Sequence, residues 1–447
     1  MTASIQHITS YLNKQVSIKP LVILRIIFGI MMAFSTIRFV ALGWVKEHYI
    51  SPVFHFKYYG FEWISMASPN ILYAIHYAMI LASIFVAFGF LYRISTTIVF
   101  LSFTYTELLD LTYYLNHYYF VSIVCFFMII VPAHKKASLD VYFGWVKEQD
   151  FIYQWYLLLF KAQLSIVYFY AGLAKINTDW LFNALPLKIW LPANDKMPII
   201  GSVFTWKLTP YLFSWFGMLY DCTIPAFLQI RKTRIFAYIT VVVFHTMTGL
   251  LFQIGVFPLV MILATLIFFS EEWHSRLFDA IFGKKQSLAH GYSSEIKNKI
   301  LIYFFTLYFV FQVVFPWRYL LYDGNLFWTE EGYRFSWRVM LMEKAGTATF
   351  FVKDSKTGKE GAVNNSEFLN LHQEKQMAMQ PDMILQFAHF LADYYEKQGV
   401  TSPEVRAEVY VTLNGQPSQL FINPHLNLAK VQDTWQQKDW ILPHQTQ

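Results

Sequence analysis

Long apolar runs punctuate the first two thirds of this chain, and they leave few folds open to it. They lie at roughly 20–42, 70–91, 94–115, 116–133, 151–174, 209–230, 234–253, 255–270 and 298–316. At 1.5 Å per helical residue, most of them approach the length that crosses about 30 Å of hydrocarbon. Lipid offers the backbone no hydrogen bonds, so a spanning run of this kind must close its bonds internally as a helix. Composition agrees. The chain is 56% apolar and only 14% charged, whereas soluble domains carry about a quarter charged residues. A mainly α, polytopic membrane bundle of about nine spans is expected. The first run is too long, and too free of a cleavage site, to be a removed signal peptide.

Charge sets the expected orientation. Lys14, Lys19, Arg93, Lys135, Lys136, Arg231, Lys232, Arg234, Lys284 and Lys285 all fall on one side of the alternating runs. By the positive-inside rule that side is cytoplasmic. An odd number of spans then places the C-terminal part outside. The net charge of +6 reads as membrane topology, and no basic stripe points to nucleic acid.

From about residue 317 the character changes. "ATFFVKDSKTGKEGAV" reads as a hairpin turning at Thr357-Gly358, and "AEVYVTLNGQPSQLFI" as another turning at Asn414-Gly415. Between them lies helical spacing that Pro381 breaks or restarts and Gly399 ends. The expected organisation is a cytoplasmic segment 1–19, a transmembrane helical domain 20–316 and a small external α+β domain 317–447. The two cysteines, Cys125 and Cys222, both sit in apolar runs and offer neither a disulfide framework nor metal-ligand spacing. No phosphate loop, HExxH or GxSxG is present, and no metal is expected.

Ionisable side chains inside a bilayer are costly and are functional candidates for that reason. Glu107 and Asp110 are three apart and would share a helix face. Asn116 and His117 begin the fourth run, and Lys175 ends the fifth. His245 lies about 16 Å along the seventh from Arg234. All fall at one depth in the outer half, which points to a pocket opening outward. Each also has a structural reading: helix-to-helix hydrogen bonds for the acids and histidines, a snorkelling ammonium for Lys175. Lys161, Tyr168 and Lys175 roughly keep one helix face. Arg25 and Asp221 read as a structural pair or as separate packing contacts.

Four stretches carry a resemblance: "LNHYYF" at 115–120, "IVYFYAGLAKINTDW" at 166–180, "FHTMTGLLFQIGVF" at 244–257 and "WTEEGYRFSWR" at 328–338. Together they resemble the vitamin K-dependent γ-glutamyl carboxylases and their bacterial relatives, from about Arg25 to the end of the chain. The resemblance implies a carbon–carbon lyase that oxidises vitamin K hydroquinone, of menaquinol or phylloquinol type, to the epoxide with O2. It would use the base so formed to add CO2 to glutamate side chains. Lys175 matches the family's catalytic base. Asn116 and His117 match its Asn-His pair, expected to hydrogen-bond the quinone oxygens, with His117 also catalytic. His245 matches a further histidine expected in cofactor binding. By analogy Tyr333, Phe335 and Trp337 lie near the glutamate of a peptide or protein substrate. The other implied partners are a prenylated quinone and the bilayer. The animal members carry a second lysine where this chain has Ala174, and a disulfide in the outer region that two intramembrane cysteines cannot supply. Two other readings stay open. One is a quinol-oxidising membrane enzyme acting on another target. The other is a proton or solute transporter using Glu107, Asp110, His117 and Lys175 as a relay, which predicts helices broken at mid-membrane.

Overall fold

The structure, a computed structural model, describes His7 and residues 10–252, 254–283 and 299–445. Lys284 and Lys285, placed on the basic side from sequence, lie outside the described residues.

Each apolar run is helical. Helices α1 (Lys19–Ala41), α2 (Pro69–Phe88), α3 (Tyr92–Leu108), α4 (Asn116–Ile130), α5 (Trp155–Ala174), α6 (Thr209–Gln229), α7 (Arg234–Phe252), α8 (Phe257–Thr265), α9 (Glu271–Phe282) and α10 (Lys299–Val314) follow in chain order. Among the described residues, however, only five helices are long and apolar enough to cross a membrane. These are α1, α2, α5, α7 and the stretch Tyr303–Leu321. A sixth arises only if Phe257–Phe268 and Glu271–Phe282, bent by 112° at their junction, count as one span. The count of nine is therefore not supported, and the reason is local. The third run ends as a helix at Leu108, after which Asp110 accepts the Thr112 backbone N–H (3.0 Å) and caps a 3-10 turn. That turn divides the third run from the fourth, leaving helices of 17 and 15 residues. Helix α6 carries Pro225 and the buried Asp221. The eighth run leaves its axis where Glu271 and Glu272 begin a charged, amphipathic helix.

One end of the bundle collects the basic residues. Strand β1 (Gln15–Ser17) pairs with β2 (Phe151–Tyr153). Lys19 bonds Asp279 at 3.0 Å, and Lys136 bonds both Glu148 and Asp150. Arg25 does not meet Asp221. Its guanidinium donates to the carbonyls of Ala133 (2.9 Å), Lys136 (3.3 Å) and Ala137 (2.6 Å), pinning the turn after α4. Three carbonyls thus answer its two terminal nitrogens without a carboxylate, while Nε is buried with no partner among the described residues.

The opposite end carries the α+β domain. Its four-stranded antiparallel sheet has the order β4-β3-β5-β6, with β3 (Lys344–Lys353), β4 (Glu360–Ala362), β5 (Glu404–Leu413) and β6 (Gln419–Leu420). Both expected hairpins form, with Gly358 (φ 69°), Asn414 (φ 52°) and Gly415 (φ 76°) in the left-handed region such turns require. The longest pairing joins them to each other, from Lys344 opposite Leu413 to Lys353 opposite Glu404. Helices α11 (Leu371–Met377) and α12 (Pro381–Lys397) supply the remaining layer. Met383, Ile384, Phe387, Ala388 and Leu391 of α12 share a buried core with Phe350, Val405, Ala407 and Val409 of the sheet.

The two halves are joined by polar contacts over a continuous apolar core, which also includes Phe56, Leu111 and Trp180. Asp110 is one centre of this junction. It bonds His55 Nδ1 (2.9 Å) and Gln373 Nε2 (2.7 Å), besides its cap on Thr112. Asp110 and Glu107 thus do not share a helix face: the first is an anchor for the outer domain, the second faces a cavity.

Candidate active site

Lys175 caps the C-terminus of α5, and its ammonium does not reach for solvent. Nζ donates to the Ala171 carbonyl (3.1 Å) and to Asp221 Oδ2 (2.8 Å), lies 5.4 Å from the Trp180 ring, and leaves the residue 6% exposed. The residues that follow build the lid over it. Asn177 accepts the Trp180 N–H (2.9 Å) and so turns the chain back, and the Trp180 indole donates to the Ser214 carbonyl of α6 (2.9 Å). From the outer domain, the Asn414 turn reaches Asp179 (2.9 Å). Gly172 makes the ion pair possible. A Cβ there would stand 2.6 Å from the Cys222 backbone nitrogen, so only glycine lets α5 approach α6 closely enough for Lys175 to meet Asp221.

Around this pair stands a row of rings. His245 Nε2 pairs with the Tyr168 hydroxyl at 3.0 Å, and Tyr168 also meets Thr265 Oγ1 (3.4 Å). The Phe257 ring lies 5.7 Å from His245 and 5.2 Å from His117, linking the two histidines. Among the described residues, His245 Nδ1 is buried without a hydrogen-bond partner. His117 has no hydrogen bond to the described residues, and its neighbours are the Tyr118 and Phe257 rings. Asn116 faces away from His117's neighbours. Its amide donates to the Arg338 carbonyl (2.6 Å) and its oxygen accepts from the Tyr114 hydroxyl (2.9 Å), which in turn accepts from Phe335 N–H (2.8 Å).

Beyond that wall opens a cavity of about 770 Å³ between α3, α4, α10 and the outer domain. Its membrane side is lined by residues such as Phe100, Glu107, Phe126 and Phe311, and its outer side by Arg318 and Tyr333. Phe335 lines it as well. Trp337 does not: it is fully buried and stacks on Tyr119 with centroids 4.9 Å apart. The sequence-derived candidates therefore fall into three groups. Lys175, His245 and His117 line the ring row, Asn116 holds the 333–338 strip, and Tyr333 and Phe335 face the cavity. They do not form a single pocket: Lys175, His245, His117 and Asn116 are not among the residues that line the cavity. Sequence reasoning missed Asp221 as the partner of Lys175, Gly172 beneath it, and Arg318. The only sequence signals were an acid inside an apolar run and a small residue in "AGLAK".

The bundle and its appended sheet define a polytopic membrane protein with a separate outer domain, and the comparisons divide it the same way. Residues 13–273 match the family model of the HTTM domain, and residues 297–447 match that of the vitamin K-dependent gamma-carboxylase, lumenal domain. No solved structure matches the chain. The chain belongs to the vitamin K-dependent γ-carboxylase family.

Proposed function

We propose that this protein is an integral-membrane γ-glutamyl carboxylase that oxidises a vitamin K hydroquinone to its epoxide with O2 and carboxylates glutamate side chains with CO2. The lumenal-domain match supports an extracytoplasmic position for 317–447. The observation that carries the reading is the cavity, which runs from apolar helix faces to the outer domain. The cavity gives a prenylated quinone an approach from lipid and a peptide one from water, and Lys175, His117 and His245 lie outside its lining.

The residues present suit the hydroquinone. Its two oxygens need a base, hydrogen-bond donors and acceptors, and an apolar surround. Lys175 offers the base, and the free nitrogens of His117 and the unpaired His245 Nδ1 offer hydrogen bonds. The Tyr220 and Phe257 rings offer the surround. Bound vitamin K hydroquinone supplies, through its oxidation, the base strength that glutamate γ-hydrogen removal requires and that no side chain has. The chain's own residues do the rest. Lys175, held by Asp221, accepts a proton. His117 and His245 orient the ring oxygens. Asn116 fixes the 333–338 strip, with Tyr333 and Phe335 beside the peptide. The close-packed rings and the Trp180 lid keep water from the base.

The second enzyme reading, quinol oxidation serving another target, shares this site. The relay reading has less support: among the described residues the one sharply bent helix pair turns where α9 becomes charged, and Arg25 is consumed by carbonyls rather than aligned along a path. The purified protein should convert menaquinol to the epoxide in an O2-dependent reaction. A protein that binds menaquinol and returns it unchanged would overturn the proposal. The proposed orientation puts the N-terminus and Arg231 in the cytoplasm and Gly358 outside. In whole cells an impermeant thiol reagent should label Gly358→Cys and spare Arg231→Cys, and the reverse pattern would overturn that orientation.

A further inference from the structure

Most charges on the cavity's outer side are matched in pairs. Arg334 bonds Asp382, Lys344 bonds Glu330 (2.9 Å) and Lys438 bonds Asp433 (3.1 Å). Glu331 accepts the Lys438 backbone N–H (2.9 Å), and burial raises its carboxyl pKa, which weakens its charge. Arg318 stands apart. Its guanidinium donates only to the carbonyls of Phe315 (3.2 Å) and Arg334, and lies over the Phe315 ring at 4.0 Å. It lines the cavity, and among the described residues it has no carboxylate partner and no acceptor for its remaining N–H groups. Around it stand Tyr114, Tyr119, Tyr322, Tyr333 and Phe335. Glu107 sits on α3, on the membrane side of the same cavity.

A half-buried guanidinium held by two carbonyls keeps a fixed aim and an unspent charge. The group that fits it is a carboxylate, which takes two parallel N–H bonds from one arginine. We infer that Arg318 is the residue that recognises the carboxylate of a glutamate side chain in the bound peptide. Tyr333 and Phe335 then flank the side chain's methylenes. Arg318 acts here as a specificity-determining residue, and the inference rests on the carboxylase reading for its substrate.

A binding measurement separates the two. The full-length protein in detergent is titrated with a fluorescein-labelled pentapeptide bearing one central glutamate, and with its glutamine counterpart, read by anisotropy. Wild type should prefer glutamate by about 10- to 100-fold, the range of a charge-assisted hydrogen-bonded pair. Arg318→Gln should bring the ratio close to one by weakening the glutamate peptide alone, and Arg318→Lys should keep part of it. The ratio is internal to each protein, so a loss of active fraction cancels. A glutamate preference that survives in Arg318→Gln would overturn the inference. So would a wild type with no preference, or an equal loss of both peptides. If Arg318→Gln instead raises the KM for hydroquinone with peptide binding unchanged, the guanidinium serves the quinone and the inference fails. An Arg318-dependent preference in a protein that fixes no CO2 would leave the inference standing and remove the carboxylase reading.

Discussion

Lys175→Arg is expected to give a folded protein that forms no epoxide. The substitution keeps a cation where Asp221 needs one, so the buried pair survives. What it removes is the ability to take up a proton, because arginine stays protonated in proteins. To act, Lys175 starts as the neutral amine beside the Asp221 carboxylate, and the proton it takes from the hydroquinone restores the ammonium–carboxylate pair. Loss of a positioned base lowers turnover by about 10²- to 10⁴-fold. Lys175→Ala is a poorer probe, since it strands Asp221 in the interior, and removing one partner of a buried pair costs about 3–5 kcal/mol. Lys175→Ala should therefore melt earlier in detergent than Lys175→Arg, and small exogenous amines should restore part of its epoxide formation. Near-normal activity in Lys175→Arg would make the lysine an anchor and move the base to His117 or His245.

His117→Ala should lower epoxide formation by roughly one to three decades, the range for losing a catalytic hydrogen bond or proton-transfer group. Its melting temperature in detergent should barely move. The structure gives a reason for that split. His117 has no hydrogen bond to the described residues, so its loss leaves no polar group orphaned, and its packing is confined to the Tyr118 and Phe257 rings. His245→Ala should behave differently, because it takes a partner from the buried Tyr168 hydroxyl. If His117→Ala keeps full activity and loses stability, the histidine is a packing residue.

Much of this was legible from residue order. Apolar runs announced the helices because burial in lipid leaves the backbone no alternative, and Asn414-Gly415 announced a hairpin because few residue pairs tolerate its dihedrals. The span count was not legible, since hydropathy is blind to where Asp110 caps a turn and to where Glu271 bends the chain by 112°. The β3–β5 pairing was hidden for a different reason: Lys344 and Leu413 meet only through tertiary structure. At the site, Lys175, His117 and His245 stood out as costly polar residues in apolar surroundings. Their partners did not. Asp221 lies 46 residues from Lys175, and no local pattern ties the two. Arg318 looked like an ordinary basic residue after a membrane helix until its neighbours proved to be paired and it did not.

The coupling of the two half-reactions is the most direct test. Purified protein would be given reduced vitamin K, O2, labelled bicarbonate and a glutamate peptide, with epoxide and fixed label scored separately. Epoxide and peptide-bound label should appear together, the label should survive alkaline hydrolysis and be partly lost as CO2 on heating in acid, as for a malonate-type side chain, and replacing glutamate by glutamine should abolish the label. Epoxide without label under all peptide conditions would contradict the carboxylase account and leave a quinol-oxidising enzyme with another target.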